Sequence, residues 1–149
     1  MRLSAWLLIL AAPAGQWPVG SPTVVEGFSP PGQAWDAGHR GIDLAARTGD
    51  PVLSMAAGTV AFAGVLAGKP VVTIAYPGPE HLRSTYEPVV AGVAVGEVVA
   101  QGQPIGTVAV AGGHCGGAVG CLHVGLRTDD HYLDPRSLIA RRPAVLKPW

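Results

Sequence analysis

Between residues 92 and 112 the chain reads GVAVGEVVAQGQPIGTVAVAG, with glycine at 92, 96, 102, 106 and 112 and alternating valines between them. A helix does not tolerate glycine at that frequency, because each one frees the backbone and exposes it to water. Valine, stiff at χ1, suits extended strands, and glycine suits the tight turns that join them. The rhythm continues upstream: PVLSMAAGTVAFAG reads as two strands about Ala57 and Gly58, GKPVVTIAYPG as a turn and a strand, and RSTYEPV as a strand closed by Pro88. With 21 glycines and 14 prolines in 149 residues, the chain is punctuated too often for long helices. The one helix signal is late, where Asp134 can cap, Pro135 suits the first helical position and SLIA follows. We expect an all-β fold, an antiparallel β-sheet or sandwich with a short C-terminal helix.

The chain opens MRLSAWLLILAAPAG, with one arginine, an apolar run and small residues around Pro13. That is the layout of a secretory signal peptide over residues 1–14, cleaved after Ala14. The apolar run is well short of the ~20 residues that span a bilayer. We therefore expect a secreted or cell-wall-associated protein without stable membrane insertion. Residues 15–33 read as a Pro- and Gly-rich lead-in, 34–141 as one β domain and 142–149 as a tail. The 10 basic and 10 acidic residues form no run of either sign, which argues against a nucleic-acid partner. A monomer is expected.

Export changes the meaning of the two cysteines, because oxidising compartments keep disulfides that cytosolic thiols lose. Cys115 and Cys121 flank a loop rich in glycine, which can bring the sulfurs together. The favoured reading is a Cys115–Cys121 disulfide; the other makes Cys121 a thiolate metal ligand beside His123. In GHRGIDLA, residues 38–45, His39 stands four positions before Asp43, and the glycines suit a loop that enters a strand. An imidazole and a carboxylate are good zinc ligands, and a catalytic zinc takes three protein ligands and an open position. His123 is the best third ligand, since the alternation of CLHVGLR puts Cys121, His123 and Gly125 on one face and Leu122 and Val124 on the other.

These stretches resemble the M23 family of zinc metallopeptidases, the lysostaphin or LytM type that cleaves peptides of the bacterial cell wall. The resemblance runs from Trp17-Pro18-Val19 through GHRGIDLA, TYEPV and CLHVGLR to YLDP. His39 and Asp43 match the family's His-x3-Asp motif, and His123 matches the last histidine of its His-x-His motif. The resemblance implies a Zn²⁺ triad of His39, Asp43 and His123, an antiparallel β-sheet domain crossed by a cleft, and a peptidoglycan peptide as substrate.

Two departures stand beside the match. Cys121 occupies the place of the first histidine of His-x-His, and Pro88 that of a histidine which often follows the tyrosine of the central strand. In the family those two histidines polarise the zinc-bound water and steady the transition state. CLH and TYEPV resemble an actinobacterial variant of the family. Loss of acid–base help costs typically ~10²–10⁴ in rate, so a replacement is worth seeking. His114, beside Cys115, is the first candidate for a catalytic role, ahead of Glu87, Tyr86, His81 and His131. The alternative is a catalytically degenerate M23-like module that binds the cell wall or regulates, and keeps the zinc site. A biotinyl or lipoyl carrier is disfavoured, because Lys69 and Lys147 are the only lysines and neither is flanked by methionine.

Overall fold

The computed structural model describes residues 15–33, 35, 37–110 and 120–140. In chain order the strands are β1 (Val24–Glu26), β2 (Gly41–Ala45), β3 (Pro51–Leu53), β4 (Gly58–Leu66), β5 (Lys69–Ala75), β6 (Arg83–Glu87), β7 (Val89–Ala91), β8 (Val98–Val99), β9 (Pro104–Val108), β10 (Cys121–Arg127) and β11 (Tyr132–Leu133), followed by α1 (Arg136–Ile139). The short runs between Gly and Pro in the sequence are these strands, so the fold is all-β with almost no helix. Pro135 is in helical conformation before α1, and Asp134 accepts the N–H of Arg136 at 2.9 Å, satisfying a donor that the helix itself leaves open. None of the described helices is long and apolar enough to cross a membrane.

Two antiparallel sheets face one another. The larger has eight strands in the order β1-β2-β10-β6-β5-β4-β8, with β11 added to β10; the smaller has the order β3-β9-β7. The strand that ends at Glu87 passes from the larger sheet to the smaller through Pro88, which has no N–H to give to a ladder. Between the sheets lies one core, supplied by Ile42, Leu44, Val72, Ile74, Leu122, Val124 and Leu126 from the large sheet and by Val52, Val89, Ile105 and Val108 from the small one. Each contributes the apolar face of a period-2 strand.

Residues 15–33 belong to this body. Gln16 N–H donates to Met55 O, Leu53 N–H to Pro18 O and Ala45 N–H to Thr23 O, while Trp17, Val19 and Phe28 pack on the core. Ser29 and His39 then exchange backbone hydrogen bonds at 2.9 and 2.6 Å, which fixes the chain just before β2.

Candidate metal centre

The site forms where β2 and β10 lie side by side at the middle of the large sheet. Their register sets His123 directly opposite Asp43, and Leu122 and Val124 opposite Leu44 and Ile42. Burial of those four apolar side chains in the core leaves Asp43 and His123 no choice but the other face. His39 arrives from the bridge before β2 on the same side. The three side chains that the sequence separates by up to 84 positions are thereby brought together.

Their donor atoms form a closed triangle. Asp43 Oδ1 lies 2.7 Å from His123 Nδ1 and 3.1 Å from His39 Nε2, and the two ring nitrogens are 3.2 Å apart. For comparison, a tetrahedral zinc with bonds of ~2.0–2.1 Å has neighbouring ligands ~3.3–3.4 Å apart. His39 Nδ1–H donates to the carbonyl of Gly27 at 2.7 Å, so the lone pair of Nε2 points into the triangle. Two imidazole nitrogens and a carboxylate oxygen are a donor set suited to zinc, and the three offer ligand atoms all within 4.8 Å of one another. Among the described residues no other His, Cys, Asp or Glu joins them.

Access is one-sided. Asp43 is fully buried and His39 nearly so, whereas the His123 ring borders an open groove of about 280 Å³ on the face of the sheet. Glu87 of β6 is the other direct cross-strand neighbour of His123, and both line the groove. Further along come Thr85, Gly125, Arg127 and Tyr132.

The ring of His123 lies over Gly41. A Cβ added at Gly41 would stand 2.8 Å from His123 Cε1 and Nε2 and 2.2 Å from the backbone oxygen of Val124. Gly41→Ala therefore forces β2 and β10 apart and displaces the ring. We expect a loss of about 1–3 kcal/mol in stability, read by urea unfolding, together with weaker metal binding. Unchanged stability and metal content would show that the strands absorb the methyl group elsewhere.

The other sequence candidates are scattered. Tyr86 points away from the site: fully buried on the core face of β6, its hydroxyl accepts Met55 N–H at 3.0 Å and joins Tyr76 and Ser84. Burial pushes both phenols above their ordinary pKa, so they remain protonated structural donors. Tyr86 is thus corrected from a catalytic candidate to a core residue. His81 is exposed and binds Asp129 at 2.6 Å, and His131 is exposed in the turn between β10 and β11. His114 and Cys115 lie outside the described residues, while Cys121 is buried at the start of β10. Glu87, ranked behind His114 on sequence, is the carboxylate that the described structure places beside His123 in the groove. Its signal was the strand period: if Tyr86 faces the core, Glu87 must face the groove.

Comparison with known proteins agrees with this architecture. Residues 37–135 match the sequence profile of Peptidase family M23. Uncharacterised proteins of Mycobacterium tuberculosis and Mycobacterium bovis are 45% identical over 155 aligned residues, covering 96% of this chain. The chain spans 61% of the length of those relatives. Among solved structures, Helicobacter pylori Csd3 superposes with a TM-score of 0.67 at 29% identity, over 90% of this chain and 37% of that one. A zinc-containing peptidase from Vibrio cholerae shares the fold at a TM-score of 0.66 and 22% identity, over 88% and 41% of the two chains. The profile match takes in all three members of the His39–Asp43–His123 triangle and covers well over half of the sequence, and on that ground the chain belongs to peptidase family M23.

Proposed function

We propose that the protein is an exported zinc metalloendopeptidase that hydrolyses peptide bonds of bacterial cell-wall peptidoglycan. The observation that carries this reading is the convergence of His39 Nε2, Asp43 Oδ1 and His123 Nδ1, with the His123 ring bordering an open groove. Three protein ligands with solvent access on one side are the pattern of a catalytic zinc rather than a closed structural one. When bound there, zinc supplies the Lewis acidity that polarises a peptide carbonyl and makes water nucleophilic near neutral pH.

The remaining chemistry falls to the chain's own groups. The side chain of Glu87, half-buried beside His123, makes no hydrogen bond or ion pair with the described residues. Its carboxylate would take a proton from the attacking water and return it to the amine that leaves. This assigns to Glu87 the proton transfer that the family's histidines perform elsewhere, at a sheet position one residue before Pro88. A Cys115–Cys121 disulfide, the other part of the proposal, would anchor the segment before β10 and hold Cys121 out of the ligand set.

The test is direct. The protein loaded with one equivalent of zinc should release new amino groups from purified cross-linked cell wall, and a chelator should stop the release. The second reading, a wall-binding or regulatory module, is favoured by the replacement of both usual histidines by Cys121 and Pro88. It would be supported by retention of the protein on cell wall with the zinc bound and no amino groups released.

A further inference from the structure

The alternation that directs His123 into the groove continues along β10 to Gly125 and Arg127, the half-buried positions of a strand whose other residues are buried. Four residues at ~3.3 Å each put Arg127 about 13 Å from His123 along the groove floor. Between them Gly125 leaves the floor bare, and this bareness is not demanded by packing. A Cβ at Gly125 would meet no atom closer than Arg40 O at 3.9 Å. Thr85 of β6, opposite Gly125, completes the floor, with its hydroxyl 3.1 Å from that of Thr73.

Arg127 ends this floor as a prepared cation. Its Nε–H donates to Thr128 O at 3.2 Å and Nη2 to Asp129 O at 3.4 Å, and its guanidinium carbon stands 5.2 Å from the centre of the Tyr132 ring. Tethered on one edge and stacked on one face, the guanidinium keeps its remaining Nη1 and Nη2 hydrogens for another partner. No described carboxylate pairs with it. The neighbouring Asp129 carboxylate is already held by Arg83 at 3.0 Å and His81 at 2.6 Å, and these two partners hold its pKa below the ordinary carboxylate value. Arg40 stands over the same Tyr132 ring at 5.9 Å. Glu87 is at the opposite end, beside His123. Glu87 and Arg127 thus mark the two ends of the groove.

We infer that Arg127 is a specificity-determining residue: the groove takes an extended peptide laid over Gly125 and Thr85, with a carboxylate of that peptide bound by Arg127 about four residues from the bond presented to His123. A planar fork with free hydrogens recognises a carboxylate through paired, charge-assisted hydrogen bonds. The chemistry is shared by a terminal α-carboxylate and by an acidic side chain. This inference rests on the peptidase reading for the identity of the ligand as a peptide, but the carboxylate site itself can be measured without turnover.

The experiment measures binding of three fluorescently labelled penta-alanine probes by anisotropy, using metal-free protein so that no carboxylate gains affinity by ligating zinc. One probe ends in a free carboxylate, one in a carboxamide, and one in a glutamate whose own carboxylate terminus is amidated. At least one acidic probe should bind ~10-fold more tightly than the carboxamide, as expected for a hydrogen-bonded charged pair, and the stronger of the two identifies the source of the carboxylate. Arg127→Gln should abolish the preference and leave affinity for the carboxamide unchanged. Arg127→Lys, which keeps the charge and loses the fork, should restore part of it. Equal binding of all three probes by the wild type, or a preference that survives Arg127→Gln, overturns the inference. Arg127-dependent preference without wall hydrolysis by the zinc-loaded protein would sink the peptidase reading and leave the carboxylate site standing; hydrolysis without preference would do the reverse.

Discussion

We expect replacement of His123 by alanine to abolish the binding of one zinc per chain and, with it, the proposed wall hydrolysis. His123 Nδ1 is one corner of a triangle whose other corners, Asp43 Oδ1 and His39 Nε2, are 2.7 and 3.2 Å away. Two ligands cannot hold an open zinc site that needs three, so the loss in affinity exceeds the ~10–100-fold that removal of an outer-shell partner costs. The substitution is suited to the question because the ring stands on the groove face over Gly41 and contributes no side chain to the core. The metal-free variant should therefore keep the fold, losing the hydrogen bond that His123 makes to buried Asp43. Metal content by elemental analysis after equilibrium dialysis decides the matter. A full equivalent of zinc retained by the variant would place the metal elsewhere in the chain.

Glu87→Gln produces the second large effect. It should leave zinc content and fold unchanged and lower kcat by ~10²–10⁴, the usual contribution of a positioned general acid or base. Gln keeps the shape of Glu and loses its ability to accept a proton, and no described hydrogen bond or ion pair is broken by the change. KM should move little, since the carboxylate acts on the proton rather than on the peptide. Steady-state rates on cross-linked cell wall, measured beside zinc content, test this. Full activity in Glu87→Gln would return the proton transfer to His114, whose alanine variant should then carry the loss.

Much of this was legible in the chain. The glycine and proline rhythm fixes strand length, because those residues interrupt any longer element. The alternation of CLHVGLR predicted which face His123 takes, and the structure buries Leu122, Val124 and Leu126 and leaves His123, Gly125 and Arg127 half-exposed. His39 and Asp43, four positions apart, were readable as a pair. Tyr86 and Glu87 were not separable, since adjacent residues in TYEPV differ only in the face they occupy. That choice depends on which face of β6 meets the second sheet.

Local sequence, then, determined the strands, their buried faces and the residue types able to hold a metal, because turn chemistry and side-chain period act over a few residues. Tertiary structure alone decided which strands are neighbours. Pairing β10 with β2 on one side and β6 on the other sets His123 between Asp43 and Glu87 and lines Arg127 up along the same groove. That order follows from burying one continuous apolar face against a second sheet, a condition no short stretch of sequence contains.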